Sequence, residues 1–266
     1  MTGARTDVAD LAVIGGSGFY ELLTDARLLT VETPYGEPSD EIAVGEVAGR
    51  RVAFLPRHGR GHRVPAHRIN YRANLWALHS LGVGQILAPC AVGSLRRELG
   101  PGSVVVPDQL VDRTTARVQS FYDEGAVHVS FADPYCVDGR AAVLKSAAAT
   151  GAPATDGGTT VVIDGPRFST RAESRWYAAQ GWSLVNMTGH PEAVLARELA
   201  LCYTSVALVT DLDAGIDADE SVAQEEVFKV FAANVGRLKS LVLETVAQLP
   251  QSRSCACAHA LDGISP

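Results

Sequence analysis

The sequence predicts an α/β fold, one mixed and largely parallel sheet flanked by helices in a single domain. Three observations carry that expectation. Short apolar runs suited to buried strands recur along the chain, among them QILAPCAVGSL, TTVVID and CYTSVALVTDLDAG. From the middle of the chain onward they alternate with segments whose apolar residues fall at helical spacing. A chain of 266 residues, 47% hydrophobic and 20% charged, is long enough to bury one sizeable core.

The first apolar run, residues 11–13, empties into IGGSGFY. A strand that ends in glycines brings backbone amides close to phosphate oxygens, and the Ser17 hydroxyl completes such a cradle. An isolated glycine turn also serves backbone geometry alone. A dinucleotide turn is disfavoured, because Glu21 stands where the third glycine after Gly16 and Gly18 belongs. Residues 28–56 read as a meander of short strands and not as a crossover helix, which makes a dehydrogenase the remotest reading.

Further along, YRANLWALHSLG places Leu75, Trp76, Leu78 and Leu81 on a helix closed by Gly82. QILAPCAVGSL is a buried strand running into a small-residue turn at Cys90 and Ala91, and SVVVPDQLVDRT a strand and loop. TTVVIDGPRFST stops at Gly165 and Pro166, and RAESRWYAAQG is a helix ending at Gly181. SLVNMTG is a strand and turn, HPEAVLARELAL a helix with Pro191 in its first turn, and CYTSVALVTDLDAG a strand. Residues 221–249 form a long amphipathic helix. With no repeats or linkers, residues 1–250 are expected to form one unit, followed by a loosely ordered tail over residues 251–266.

A net charge of -7 excludes a nucleic-acid backbone as principal partner. Yet Arg57, His58, Arg60, His62, Arg63, His67, Arg68 and Arg72 crowd one short segment, a local positive site suited to a small anion. No apolar stretch approaches the roughly 20 residues that cross a bilayer, and Asp7 and Asp10 do not fit a leader, so a cytoplasmic protein is expected. The five cysteines, Cys90, Cys136, Cys202, Cys255 and Cys257, are then expected as reduced thiols. Cys255, Cys257 and His259 make a Cys-x-Cys-x-His cluster, but three ligands so close together do not complete a tetrahedral structural zinc site, and no metal is expected.

The strand ends carry groups suited to an anion or a sugar: Ser17, Arg57 with His58, Cys90 with Ala91, and Asn186, Met187 and Thr188. Each has a plainer reading, Thr188 for instance as a helix cap. The run VALV ends in Thr210, Asp211, Leu212 and Asp213, and a carboxylate leaving a buried strand must be paired, protonated or used.

Taken together, IGGSGFY, FLPRHGRGHRVPAHRINYRANLWAL, DRTTARVQSFYD, GPRFSTRAES, NMTGHPEAVLARELALCY and TDLDAG resemble the methylthioadenosine phosphorylase branch of the trimeric purine nucleoside phosphorylases, over residues 11–245. The resemblance implies cleavage of a nucleoside by inorganic phosphate to a free purine and a pentose 1-phosphate, with phosphate as co-substrate and no metal or organic cofactor. It implies a phosphate site of Ser17, Arg57, His58, Cys90, Ala91 and Thr188, with Cys90 departing from the family's usual threonine. Asn186 and Met187 then serve the ribose, and Phe168 and Ser169 the base. Asp211 faces the purine N7 and 6-amino edge with Asp213 in support, which favours adenine over 6-oxopurines. Val222, Val227 and Phe228, with His128 from a neighbouring subunit of a homotrimer, make an apolar pocket for a 5'-methylthio group. Competing readings are a methylthioinosine or general purine nucleoside phosphorylase and, from another class, a nucleoside-binding protein without turnover.

Overall fold

Alternation along the innermost strands divides the core in two. Strand β1 (Leu11–Gly15) sends Ala12 and Ile14 to one face and Leu11 and Val13 to the other, all fully buried. Strand β4 (Arg50–Pro56) repeats the pattern, with Ala53 and Leu55 opposite Val52 and Phe54. A strand apolar on both sides must be covered on both sides. Helices α1 (Tyr71–Ser80) and α4 (Gly189–Glu198) cover the first face through Leu75, Leu78, Leu195 and Ala196. Helices α2 (Val137–Ala149) and α5 (Gln224–Gln248) cover the second through Val143, Leu238, Leu241, Val242 and Val246. Each such leucine contributes roughly 1.5–3 kcal/mol of burial.

This computed structural model describes residues 6–16, 19, 22–23, 25–125, 127–217 and 221–264. The remaining strands are β2 (Arg27–Leu29), β3 (Ile42–Val47), β5 (Gln85–Ser94), β6 (Val104–Val106), β7 (Gln109–Asp112), β8 (Ala154–Asp156), β9 (Thr159–Val162), β10 (Leu184–Asn186) and β11 (Cys202–Leu212). Helix α3 (Arg171–Ala179) opens on a capping box between Thr170 and Glu173. All the strands join one mixed sheet ordered β2-β3-β4-β1-β5-β10-β9-β7, with β11 pairing β5 and β6, and β8 pairing β6. As the sequence predicts, the early region is an antiparallel meander, β2 to β3 to β4, which returns β4 parallel to β1.

Strand β5 is the hinge of the design. One of its edges pairs with β11 from Gln85 to Ser94. Its other edge meets β1 only at Gln85, Ile86 and Leu87, and then β10, antiparallel, at Gly93 and Ser94. Between these two ladders the edge opens, and the split lies where the candidate site is found. Cys90 and Ala91 therefore sit inside a strand and not in the turn expected from the sequence. The small residues there reflect a gap in pairing rather than a chain reversal.

Two further differences concern the end of the chain and α2. The expected loose tail is instead docked: Cys255 and Cys257 are buried, and Arg253 donates to the carbonyls of Gly84 and Ala200. Buried thiols and the half-buried Arg253 guanidinium hold it, a packing invisible in the tail's own polar composition. Helix α2 presents Gly139, Ala142, Val143, Ser146 and Ala147 inward at helical spacing, but all except Val143 are small, so little in its sequence marks an apolar face. A Cβ on Gly139 would fall 1.9 Å from Thr204 Oγ1, so the small residue is what lets α2 lie directly on β11.

Candidate active site

A cleft of about 390 Å³ opens at the split, lined from several elements at once. That volume falls in the range of roughly 300–1,000 Å³ typical of small-molecule sites. Gly16 after β1, Arg57 and His58 after β4, Cys90 and Ala91 of β5, Asn186 of β10 with Met187 and Thr188, and Asp211 and Asp213 at the end of β11 all reach it. Phe168 and Ser169 before α3 and Val227 and Phe228 of α5 complete the predicted set. Ser17 and Glu21 lie outside the described residues. His128 is exposed and Val222 half-buried, and neither lines the cleft of its own chain.

At the anion end, the geometry revises the role of Arg57. Its side chain is 2% exposed, and its Nε and Nη2 each donate to Glu192 at 2.8 Å. Nη2 also donates to Ile14 O at 3.0 Å and Nη1 to Pro89 O at 3.1 Å. The planar fork expected to grip phosphate is thus turned into the protein, leaving a single Nη1–H beyond these bonds. Burial works against its charge, but the Glu192 carboxylate outweighs it and holds the guanidinium firmly protonated. Tyr203 donates its hydroxyl to Glu192 at 2.8 Å, so the buried carboxylate is satisfied from both sides.

The donors around the split are backbone and hydroxyl groups. In a strand the N–H and C=O of one residue point the same way. Ala91 O accepts from Asn186 Nδ2 across the split, which puts the Ala91 N–H on that open side too. Thr188 precedes α4, yet its hydroxyl makes no capping bond. Asn186 Oδ1 does the capping, accepting from the amides of Thr188 at 2.8 Å and Gly189 at 2.6 Å. Asn186 is therefore a scaffold for this corner, and the buried Thr188 hydroxyl, which makes only a long 3.4 Å bond to its Oδ1, also lines the cleft. His58 Nδ1 lies 2.9 Å from Val64 O and must donate to that carbonyl, leaving Nε2 as an acceptor. Burial first, then His62 and Arg57, push its pKa down to about 3, so the ring is neutral. Its ring stacks on His62 at 4.1 Å, a residue not singled out by the sequence that also lines the cleft.

At the opposite end sit the two carboxyl groups. Burial, reinforced by Asp213 and opposed by the Thr210 hydroxyl, raises the pKa of Asp211 to about 6. Thr210 Oγ1 donates to Asp211 at 2.7 Å and thereby fixes the carboxyl's orientation. Asp213 is also raised by burial, although Ser174 donates to it at 2.6 Å. The register slips between Val209 and Asp211, a bulge that turns the strand end toward the cleft. Gly93 faces Asp211 across the ladder, and a Cβ there would stand 3.0 Å from Asp211 Oδ1. Close by, the buried Ser169 hydroxyl lines the cleft and also favours the charged form of the Asp213 carboxyl.

Between the ends, Met187 forms part of the cleft wall, and Gly165 (φ 66°) is needed beneath it because a Cβ would meet Met187 Sδ at 2.6 Å. Gln224, Val227, Phe228 and Phe231 of α5 follow helical spacing and form an apolar wall. Phe231 was absent from the sequence-derived set, although it lies one turn beyond Val227.

Backbone amides and hydroxyls thus gather at the split in the sheet, and a buried carboxyl pair closes the same cleft at the end of β11. The chain belongs to the phosphorylase superfamily, whose family model matches residues 10–247. It is similar to a purine nucleoside phosphorylase of Streptomyces coelicolor, 61% identical with 97% of this chain and 96% of the relative covered. An S-methyl-5'-thioadenosine phosphorylase of Mycolicibacterium smegmatis is 60% identical over 96% of both chains. Among solved structures, a methylthioadenosine phosphorylase from an Antarctic soil metagenomic library superposes with a TM-score of 0.89 at 41% identity, covering 97% of this chain and 92% of that one.

Proposed function

We propose that the protein cleaves S-methyl-5'-thioadenosine with inorganic phosphate, giving adenine and 5-methylthioribose 1-phosphate. The observation that carries this reading is Asp211, a carboxyl with a pKa of about 6 at the end of the cleft away from the phosphate cradle. Breaking the C1'–N9 bond leaves positive charge on the sugar and negative charge on the purine. Phosphate supplies the electron pair to C1', and protonated Asp211 gives its proton to N7, so the base departs neutral. Asp213 keeps Asp211 from ionising early, and the Ser169 hydroxyl and Phe168 hold the base.

The phosphate rests on the Ala91 amide, the Thr188 hydroxyl, His58 and, by its residue type and position, Ser17, with Arg57 setting the local field behind them. Neutral His58 accepts a proton-bearing phosphate oxygen at Nε2, which fits hydrogen phosphate. Cys90 is half-buried, with Sγ 3.6 Å from Ser205 Oγ, and contributes shape more than donors. The chemistry at this cleft calls for no metal or organic cofactor.

The wall of Val227, Phe228 and Phe231 favours a methylthio group over a hydroxyl. Phe228 is 45% exposed at that wall, an arrangement suited to cover by a neighbouring chain. A homotrimer in the cytoplasm, with His128 delivered across the interface, is the assembly this reading expects. The test is a substrate panel with phosphate: methylthioadenosine turned over ahead of adenosine, methylthioinosine and inosine supports the proposal, and inosine in first place refutes it. Binding of adenine nucleosides without phosphate-dependent turnover would instead identify a nucleoside-binding protein.

A further inference from the structure

Four of the five cysteines converge on one buried point outside the lining of the cleft. Cys136 caps the N-terminus of α2, Cys202 opens β11, and Cys255 and Cys257 come from the docked tail. Their Sγ atoms all lie within 4.8 Å of one another, and all four residues are buried. Cys255 Sγ is 3.7 Å from Cys136 Sγ and 3.3 Å from Cys202 Sγ. A tetrahedron of thiolates about 2.3 Å from a central zinc has edges of about 3.8 Å. One thiol in contact with two others is the arrangement of a ligand set and not of separate pairs.

We infer that Cys136, Cys202, Cys255 and Cys257 form a structural site for one tetrahedral thiophilic cation of the zinc class, which fastens the C-terminal tail to the sheet.

The surroundings fit such an ion. Four thiolates around a divalent cation leave a net charge of -2, which needs compensation in an interior. Arg197, itself buried, lies with Nη2 3.7 Å from Cys257 Sγ and is held in place by the carbonyls of Ser130 and Asp133. The positive end of the α2 dipole falls at Cys136. Binding releases the thiol protons to solvent. The sequence pattern concealed this, since Cys255-x-Cys257 supplies half a site and its other half lies more than 50 positions upstream.

The site is not a second catalytic centre. No fourth position is left open for substrate, and the span from residue 202 to residue 211 along β11 is about 30 Å. Its role is to anchor: Cys202 adjoins Tyr203, which bonds Glu192, which in turn holds Arg57.

The experiment is elemental analysis of the untagged full chain, purified in reductant without chelator, together with cobalt(II) replacement. About one zinc per chain is expected, with intense visible bands of tetrahedral cobalt thiolate after replacement. The Cys255→Ser/Cys257→Ser double variant should lose the metal and melt lower, while its turnover at moderate temperature stays within about twofold. Metal far below one per chain after incubation of reduced protein with zinc would overturn the proposal. So would a mass four hydrogens short, which reports two disulfides, or retention of the metal by the double variant. The wild-type cobalt spectrum decides the matter even if the variant does not fold.

Discussion

Arg57 and Glu192 face each other in the interior, Nε to Oε2 at 2.8 Å, with side chains 2% and 0% exposed. Removing the charge of one partner strands the other. Glu192→Gln should therefore cost about 3–5 kcal/mol in chemical denaturation, far more than an exposed ion pair would. Surviving protein should show a raised phosphate KM, because the Arg57 guanidinium also supports the carbonyl of Pro89 beside the cradle.

Asp211 sets the pH dependence. Only its protonated form can give a proton to N7, so the Asp211-dependent part of kcat/KM should be full below pH 5 and fall as pH rises through about 6. Asp211→Ala should lower kcat by about 10²-fold or more and erase that limb, as profiles of the two proteins measured in parallel would reveal. Asp211→Asn should move preference toward 6-oxopurine nucleosides.

The same shift has a stability sign. Asp211 is raised from 3.8 unfolded to about 6 folded, so the folded state holds its proton more tightly and that stabilisation is complete below pH 3.8. It is lost as pH rises through 6. Asp211→Asn should thus be more stable than wild type at pH 8, by about 3 kcal/mol, with the difference shrinking toward pH 4 in urea titrations.

Gly93→Ala should hurt turnover more than folding. The added methyl stands 3.0 Å from Asp211 Oδ1, so the carboxyl that Thr210 orients must turn to make room. A fall in kcat of about tenfold with a melting temperature within a few degrees of wild type is expected, since positioning losses are large for small displacements.

Phe231 tests the apolar wall. Phe231→Ser should raise the KM for methylthioadenosine while leaving that for adenosine nearly unchanged, narrowing their ratio by about tenfold, the worth of one or two buried methylenes. Equal effects on both substrates would place the 5' group elsewhere.

What was legible in the sequence was local or carried by contiguous motifs. Unbroken apolar runs locate β1, β4, β5 and β11, and glycine endings locate α1 and α3. Arg57, Met187 and Asp211 are legible because each follows an apolar run. What escaped needed the third dimension. Glu192 reads as a first-turn helical acid, and only folding puts it against Arg57. Thr188 reads as a cap until Asn186 is seen doing that work. Cys90 looked like a turn because a break in pairing leaves no mark on residue type. Phe231 was within reach of helical spacing from Val227 and Phe228.

Release of adenine from methylthioadenosine by the purified protein, followed with and without inorganic phosphate, bears most directly on the central claim. The expected result is turnover that requires phosphate and yields 5-methylthioribose 1-phosphate in equal amount with adenine. Adenine release at the same rate without phosphate, yielding free methylthioribose, would contradict it.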